Sequence, residues 1–429
     1  MTNPTTLGKA LPIKYGKARN ESYGYVAVSV PVYGSSGVIG DFNRALTTGP
    51  TLIVGRKGSA GSIHYSATPC WPIDTVYYAE TPPDSTLHYF RYLLEHLRLG
   101  QHDKSTAIPS LGRDDYNAIP VTVPPLEEQE RVVAYLDEQL SRLDASVAAL
   151  HRVQANLNRY RASVLSCACE GRLVPTEAEL ARQECRPFET GTQLLQRILA
   201  VRRGNSADPS KYKEPTPASA SGLPQLPDGW SWASLGQLTT RVADVDHRMP
   251  KSAETNIPYV STKDFFGEDE IDFDGAKKIS AVDFESLCRK VQPSHGDILL
   301  SRYGTVGEIR MVKTALPFQA SYSIAIVKTL AGVELVRYLA TALRSRVLQD
   351  QMKRDVRATA QPDLGLAHIR LLAIPLPPLA EQHRIVAEAD RRLSLVRVAE
   401  AQVSANLARA QRLRQSILQA AFSLPVQTA

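Results

Sequence analysis

The chain has 429 residues, of which 43% are hydrophobic and 22% charged, and its formal net charge is +6 at pH 7. This length predicts at least two domains, and the composition is that of a soluble globular protein, because no run approaches the roughly 18 apolar residues that span a bilayer. Five scattered cysteines exclude a disulfide framework and, with no signal sequence at the start, predict a cytoplasmic protein with no membrane partner.

Residues 1–123 are predicted to form a first α/β domain. Strand-like apolar runs such as "PTLIVG" (50–55) alternate with helical ones such as "LHYFRYLLEHLR" (87–98), and glycine-rich turns separate them. One turn, "RKGSAG" (56–61), places an arginine before glycines that let a backbone or a phosphate come close. An ordinary β-turn that requires glycine explains the same residues, so both interpretations stay open.

Residues 124–169 are predicted to form a long helix. Its start, "PPLEEQ", puts prolines where a helix leaves N–H groups unpaired, and Glu127 and Glu128 suit the positive end of the helix dipole. Apolar residues then recur at steps of three and four over about six heptads, which is typical of a coiled-coil seam. The spacer residues of this seam are Leu136, Leu140, Leu143, Leu150 and Leu157.

Residues 170–229 separate the long helix from the second half of the chain. A short amphipathic stretch, "TGTQLLQRILAVRR" (190–203), is predicted to be helical. The residues that follow it are rich in proline, serine, alanine and glycine, which predicts a surface linker.

The second half of the chain repeats the first. "PPLAEQHRIVAEADRRL" (377–393) matches "PPLEEQERVVAYLDEQL" at an offset of 253, and "TAQPDLG" (359–365) matches "TAIPSLG" (106–112) at the same offset. "ILLSRYGTVGEI" (298–309) matches "LIVGRKGSAGSI" at an offset of 246. Three matches in the same order predict two copies of one plan, an α/β domain followed by a long helix.

The second copy is predicted to contain an α/β domain at residues 230–376 and a helix at residues 377–425. Either each helix packs on its own domain, or the two helices pair with each other; we favour antiparallel pairing, because two like halves related by a pseudo-two-fold close in that way. The predicted fold class is therefore α/β, with two domains joined by an antiparallel coiled coil. Arg161 and Arg414 lie on the seams, where polar residues fix register. The spacer residues of the second helix are Leu393, Val396, Val403, Leu407 and Ile417.

Motifs for catalysis or for binding a metal ion are not found in the sequence. The Pro-Pro sites are followed by leucine, so they do not match the Asn/Asp-Pro-Pro-aromatic motif of amino-methyltransferases, and "GPTLIVGRKGS" (49–59) has the wrong spacing for a P-loop. Cys167 and Cys169 lack a second close pair for a zinc site, which favours small buried residues. Acidic runs such as "GEDEIDFD" (267–274) are typical of solvated loops.

The duplicated turns carry the best candidate binding residues. The modest positive charge permits a polyanionic partner without requiring one, and duplication of the arginine together with the glycines favours a ligand. Further donors suited to phosphates or base edges stand just before or within the two "TAxPxLG" segments. The candidates are Arg56, Lys57, Ser59, Lys104, Ser105 and Thr106 in the first copy and Arg302, Tyr303, Thr305, Arg354, Arg357 and Thr359 in the second.

Taken together, these features resemble the specificity subunit of a type I restriction-modification system. The resemblance covers the whole chain and includes "YGKARNESYGYVAVSVPVYGSSGVIG" (15–40), "EGRLVP" (170–175) and "LPQLPDGWSWASLGQL" (223–238). It implies that each α/β domain is a target recognition domain that reads one half of a split sequence in double-stranded DNA. The helices, through the seam residues named above, would set the spacing of the half-sites and dock the partner subunits.

The resemblance also implies a non-catalytic chain that binds no cofactor itself. Two methyltransferase subunits would supply adenine methylation with S-adenosylmethionine, and restriction subunits would supply the chemistry that depends on ATP and Mg²⁺. Two alternatives stay open: a structural coiled-coil adaptor that never reads DNA, and a self-contained DNA methyltransferase or nuclease.

Overall fold

The computed structural model of the chain describes residues 3–19, 29–102, 109–205, 212–247, 249–329, 333–356 and 361–423. The chain divides into two compact units. Unit 1 comprises Met1–Val153 and Gln402–Ala429, and unit 2 comprises Gln154–Ala401. Among the described helices, none is both long enough and apolar enough to cross a membrane.

The first copy of the repeat begins with a series of short strands and ends in a long helix. Its elements are β1 (Asn3–Thr6), α1 (Leu7–Ala10), β2 (Lys14–Tyr15), β3 (Val30–Gly34), β4 (Gly37–Phe42), β5 (Thr51–Gly55), β6 (Ile63–Ser66), β7 (Trp71–Pro72), β8 (Val76–Glu80), α2 (Leu87–Leu97), α3 (Arg113–Ala118), β9 (Pro120–Val123) and α4 (Leu126–Cys169). A short 3₁₀ turn, Leu99–His102, follows α2.

The strands of unit 1 form three small sheets. A four-stranded antiparallel sheet has the order β2-β8-β5-β6, a three-stranded sheet has the order β4-β3-β7, and β1 pairs with β9. Every residue of β5 is buried: Leu52 and Val54 share a core with Phe90 and Leu94 of α2, and Ile53 packs with Cys70 in a separate cluster. The helix begins at Thr86, whose hydroxyl accepts the N–H of His88 at 3.3 Å.

The second copy follows two short helices. These are α5 (Glu177–Gln183) and α6 (Gly191–Gly204). The elements that come next are β10 (Ser231–Ser234), α7 (Leu235–Leu238), β11 (Thr239–Ala243), β12 (Pro258–Val260), β13 (Phe265–Phe266), β14 (Glu270–Ile271), β15 (Lys277–Lys278), α8 (Ala281–Cys288), β16 (Ile298–Ser301), β17 (Ile309–Met311), β18 (Gln319–Ala320), β19 (Ile324–Thr329), α9 (Val333–Arg344), α10 (Arg346–Asp355), α11 (Leu366–Leu371), β20 (Ala373–Leu376) and α12 (Leu379–Ser423).

The sheets of unit 2 repeat those of unit 1. The order β11-β19-β16-β17 corresponds to β2-β8-β5-β6, β15-β12-β18 corresponds to β4-β3-β7, and β10–β20 corresponds to β1–β9. Even the parallel pairing recurs, between β3 and β7 in unit 1 and between β12 and β18 in unit 2. A hairpin of β13 and β14 has no counterpart among the described strands of unit 1. The predicted fold class, two α/β domains with two long helices, is confirmed.

In unit 1, the first part of α4 packs against the last part of α12. Leu136, Leu140 and Leu418 are buried together with Tyr92 of α2. Further along α4, Asp144 pairs with Arg414 at 2.9 Å, so the two helices run antiparallel within this unit. Helix α4 also packs on its own domain, because Leu136 lies in the same cluster as Tyr92 of α2. Phe422 of α12 lies edge-on to Tyr89 of that domain, which belongs to the other copy of the repeat. In unit 1, α4 therefore both packs on its own domain and pairs with α12.

In unit 2, the last part of α4 packs against the first part of α12. Val164 and Leu165 share a core with Val386 and Leu393, and Arg161 pairs with Glu400 at 2.6 Å. The direction is again antiparallel. The predicted seam arginines thus each form an ion pair between the helices. Of the predicted spacer residues, Leu136, Leu140, Leu393, Val396 and Val403 are buried, and Leu143, Leu150, Leu157, Leu407 and Ile417 are partly buried.

Candidate nucleic-acid interface

The first glycine-rich turn of unit 1 leaves the end of β5. The N–H of Gly61 donates to the carbonyl of Gly55 at 2.8 Å and closes the turn. Gly58 and Gly61 have φ angles of +79° and +76°, which favour glycine. A Cβ at Gly61 would lie 2.2 Å from the backbone nitrogen of Gly100, so this glycine is also required by a close approach.

This turn is bound to the segment that ends in "IPSLG". The N–H of Gly58 donates to the carbonyl of Pro109 at 3.0 Å, and the N–H of Leu111 donates to the carbonyl of Arg56 at 2.9 Å. Tyr77 of β8 adds a further bond, from its hydroxyl to the carbonyl of Leu111 at 3.1 Å. Burial raises the pKa of Tyr77 to about 12, so this hydroxyl stays protonated and can donate.

Unit 2 repeats the backbone hydrogen bonds of this arrangement. The N–H of Gly304 donates to the carbonyl of Pro362 at 2.9 Å, and the N–H of Leu364 donates to the carbonyl of Arg302 at 2.8 Å. Gly307 closes the turn on Ser301 at 3.0 Å. The two duplicated motifs of the sequence therefore form one structure in each unit. We call it the paired turns, residues 56–61 with 109–112 in unit 1 and residues 302–307 with 362–365 in unit 2.

The arginine of the first paired turns is half-buried against aromatic rings. The Cζ atom of Arg56 lies 5.0 Å from the centroid of the Tyr15 ring and 6.0 Å from that of Tyr77. One guanidinium nitrogen donates to the carbonyl of Asp74 at 3.1 Å. Among the described residues, no carboxylate forms an ion pair with Arg56. Its positive charge is therefore available to an anionic ligand.

The arginine of the second paired turns faces into the protein. Arg302 is 6% exposed, and its guanidinium pairs with Asp244 at 3.3 Å and with Asp363 at 2.8 Å. The same group donates to the carbonyl of Leu364 at 3.1 Å and to that of Tyr322 at 3.3 Å. The sequence predicted a ligand contact for Arg302. Burial and the intramolecular use of its donors leave this side chain no surface for such a contact.

The strand pairing explains why one motif gives two environments. Tyr15 stands opposite Tyr77 on β8, and the residue at the corresponding place in unit 2 is Asp244, which follows β11. The glycine-rich turns also differ in their bridging residues. Asp363 bridges to Tyr303 in unit 2, whereas Ser110 bridges to Lys57 in unit 1. An arginine that lies on a ring face in unit 1 is therefore held by two carboxylates in unit 2.

The other predicted contact residues divide into three groups. Lys57 and Ser59 are exposed at the tip of the first paired turns, and Thr305 is exposed and Tyr303 half-buried at the second. Arg354 is exposed near the end of α10. The remaining predicted contacts, Lys104, Ser105, Thr106, Arg357 and Thr359, lie outside the described residues.

Aromatic rings beside the paired turns were missed by sequence reasoning. In unit 2, the Tyr322 ring lies 5.9 Å from Tyr303 and stacks on His247 at 4.9 Å with an interplanar angle of 26°. In unit 1, Tyr15 is 45% exposed and also lies 5.4 Å from the Cζ atom of Arg113. No periodic spacing marks these residues in the sequence, because pairing of distant strands brings them together. Exposed rings next to cations are a common surface for nucleic acids.

The structure also bears on the cysteine pair and on metal ions. Cys169 is buried in the core of unit 2, and burial raises the pKa of its thiol to about 12. The prediction of small buried residues therefore holds for Cys169, whereas Cys167 is only partly buried. Within the described ranges, no group of three or more His, Cys, Asp or Glu side chains is arranged to hold a metal ion.

Comparisons with known proteins identify the family. The sequence profile of the family described as "Type I restriction modification DNA specificity domain" matches residues 7–154 and 229–390. The Type I restriction enzyme EcoBI specificity subunit of Escherichia coli is 24% identical over 378 residues, which cover 86% of this chain and 72% of the relative. The EcoKI specificity subunit of Escherichia coli (strain K12) is 21% identical over 341 residues, which cover 78% of this chain and 64% of the relative.

A solved structure supports the fold. It is described as "Structural basis underlying complex assembly and conformational transition of the type I R-M system", and it is similar with a TM-score of 0.58 at 16% identity, covering 98% of this chain and 97% of that one. At this identity the likeness concerns the fold alone. Since the family profile matches both copies of the repeat and more than half of the chain, the chain belongs to the type I restriction-modification DNA specificity family.

Proposed function

We propose that this chain is the specificity subunit of a type I restriction-modification complex, in which each unit reads one half of a bipartite DNA target. The observation that carries the proposal is the repetition of the paired turns. One backbone framework, fixed by the same hydrogen bonds in both units, presents Lys57 and Ser59 in one case and Tyr303 and Thr305 in the other. A backbone that is the same in both units, with different side chains at the ends of the turns, suits two domains that recognise different DNA sequences.

The two units offer different chemistry to DNA. In unit 1, Arg56 and Lys57 supply cations for phosphates or guanine edges, and Ser59 supplies a hydroxyl. In unit 2, Tyr303, Thr305 and Arg354 are the proposed contacts, and the exposed His247 ring lies beside them, stacked on the partly buried Tyr322. Arg302 acts in this proposal as a positioning residue that holds the second paired turns together.

Five further contacts are proposed from the sequence alone. In unit 1, the segment "TAIPSLG" begins with Thr106 and is preceded by Lys104 and Ser105. In unit 2, the segment "TAQPDLG" begins with Thr359 and is preceded by Arg357. Their side chains carry donors of the kind that bind phosphates and base edges.

The long helices have two proposed roles, which fall on different faces. The seam residues are buried or partly buried, which favours their predicted role in setting the distance between half-sites over their predicted role in docking. We propose that exposed residues on the helices dock the partner instead. Tyr160 is 45% exposed, and Leu413, which corresponds to it at the offset of 253, is 51% exposed. Each stands between two arginines, in "RYR" and "RLR".

A repeated outer surface suits two copies of one partner. We assign these partners to two methyltransferase subunits, which would hold S-adenosylmethionine, with restriction subunits completing the complex and using ATP and Mg²⁺. The chain itself would then contribute no catalytic group and no cofactor. A pseudo-two-fold chain can present two like surfaces without being a dimer.

Binding of DNA by the reconstituted complex tests the proposal. Affinities for DNA that contains the methylated target and for scrambled DNA are measured at several salt concentrations. We expect target affinity to exceed scrambled affinity by at least about 10³, with both falling as salt rises. Equal affinity for all sequences would support the structural adaptor instead. Methyl transfer to DNA by the purified chain alone would support a self-contained enzyme.

A further inference from the structure

Unit 2 contains a covering segment between the end of α4 and the start of β10. Leu173, Leu194, Ile198 and Trp230 of this segment belong to the hydrophobic core of the unit. Helix α6 packs on α7 and β10. A Cβ at Gly191 would lie 2.2 Å from the carbonyl oxygen of Leu376, so the start of α6 sits directly against β20.

The segment is anchored on the first turn of α12. Glu381 is fully buried, and its two carboxylate oxygens accept the backbone N–H of Glu177 at 2.8 Å and the indole N–H of Trp230 at 3.0 Å. Arg384, one turn later, pairs with the carboxylate of Glu177 at 2.7 Å. The first residue of α5 is therefore bound to α12 twice, through its N–H by a carboxylate and through its side chain by an arginine. Arg186, within the covering segment, pairs with the same side chain at 2.6 Å.

The same two residues exist at the start of α4. Glu128 and Arg131 correspond to Glu381 and Arg384 at the offset of 253. Among the described residues of unit 1, Arg131 forms its ion pairs within its own helix, at 2.9 Å with Glu128 and at 3.1 Å with Glu127. The side chain of Arg131 is 64% exposed, whereas that of Arg384 is 32% exposed.

Exposed residues also lie on α1. Leu7 in unit 1 and Leu235 in unit 2 make equivalent backbone bonds, to Ile119 and to Leu372, so α1 corresponds to α7. Lys9 is exposed where Gln237 is buried, and Ala10 is partly exposed where Leu238 is fully buried under the covering segment. We call this surface of unit 1 the open face; it comprises Lys9, Ala10, Leu126, Glu128 and Arg131.

We propose that the open face binds a helical segment of a partner protein with the chemistry of Thr176–Gln183. That segment has a threonine cap and a glutamate as its first helical residue. On the open face, Glu128 would accept the first N–H of such a helix, and Arg131 would bind the glutamate, as their counterparts do in unit 2. The inference rests on the repeat and not on DNA reading, so the two proposals can fail separately.

A peptide that copies the covering segment provides the probe. The peptide spans residues 174–204 and carries Cys185→Ser to prevent oxidation, and its binding to the full chain is followed by fluorescence anisotropy. Arg131→Glu removes the proposed partner of Glu177. Arg142→Glu is the matched control, because Arg142 is also exposed on α4 and pairs with Glu138, four residues before it, at 2.9 Å.

We expect Arg131→Glu to weaken peptide binding about tenfold or more and Arg142→Glu to change it less than twofold. A peptide with Glu177→Arg is expected to bind the Arg131→Glu chain more tightly than the unmodified peptide does. Absence of binding by the wild-type chain would overturn the proposal. Binding that ignores Arg131→Glu would also overturn it, because the peptide would then occupy another surface, such as that of unit 2.

Discussion

Arg302 and Asp363 form a 2.8 Å ion pair that joins the two halves of the paired turns in unit 2. In unit 1 the corresponding residues are Arg56 and Ser110, and the arginine lies instead on the ring of Tyr15. One duplicated motif thus holds a buried arginine in one unit and a half-exposed arginine in the other. Substitution of each arginine should therefore affect a different property of the protein.

Arg302→Ala is expected to lower the stability of unit 2, whereas Arg56→Ala is expected to lower DNA affinity. Loss of Arg302 leaves Asp244, which is 5% exposed, with Lys290 as a remaining partner, so we expect a cost of about 2–3 kcal/mol. Arg56→Ala should cost less than about 1 kcal/mol of stability. Thermal melting and DNA affinity at several salt concentrations, measured on both variants, check this. Equal effects of the two substitutions on both quantities would contradict it.

The turn geometry predicts which glycine can be replaced. Gly58 has a φ of +79°, so Gly58→Ala should destabilise unit 1 by about 1 kcal/mol. Gly49 is the control, because a Cβ there meets no heavy atom within 4 Å and its φ is not in the left-handed region. Gly49→Ala should change stability by less than about 0.5 kcal/mol. Melting temperatures that move equally for both variants would argue against a strained turn.

Burial of Glu381 predicts a pH dependence. Burial raises the pKa of this carboxyl group to about 7, against about 4.3 in an unfolded chain. Between these values the folded state retains a proton that the unfolded state releases. Stability should therefore fall as pH rises through this window, by on the order of 3 kcal/mol.

Glu381→Gln tests that dependence, because glutamine cannot ionise. Burial opposes ionisation of the neighbouring Glu177, but hydrogen bonds from Arg384 and Arg186 outweigh it and lower its pKa. The Glu177 carboxylate therefore stabilises the folded state, and this contribution is lost only when the pH falls below the pKa of Glu177 in the unfolded chain. Melting between pH 5 and 8 separates the two groups: the wild type should lose stability with rising pH, and the variant should not. Parallel curves would show that Glu381 does not titrate in this range.

The outer faces of the helices predict partner number. Tyr160→Glu and Leu413→Glu each place a charge in one of two equivalent exposed positions, so each should remove one methyltransferase subunit from the complex. Val282→Glu is the control, since Val282 is 77% exposed on α8. The mass of the complex by light scattering gives the count. A full complement of subunits with both variants would place docking elsewhere.

Much of the architecture was predictable because the sequence contains an internal repeat. The offset between the Pro-Pro-Leu sites located both long helices, and the order of the shared motifs revealed the two α/β domains. Seam leucines such as Leu140 follow from helical periodicity alone, since burial on one face of a helix needs only local spacing.

The environment of the turn arginines could not be predicted in this way. Arg302 is buried because strand pairing brings Asp244 and Asp363 to it. These two partners lie 58 and 61 residues away along the chain. Spacing within the motif carries no record of those partners. The same holds for Tyr322 and His247, whose stacking depends on two separate loops. Sequence patterns therefore predict least well the environment of a residue whose contacts are distant along the chain.

The most direct test of the account exchanges one recognition domain. Residues 1–123 are replaced by those of a relative, the complex is assembled in a host, and methylated adenines are mapped by sequencing. Since each unit is proposed to read one half-site, one half of the methylated motif should change while the other half and the spacing stay the same. A change in both halves, or in neither, would contradict the account.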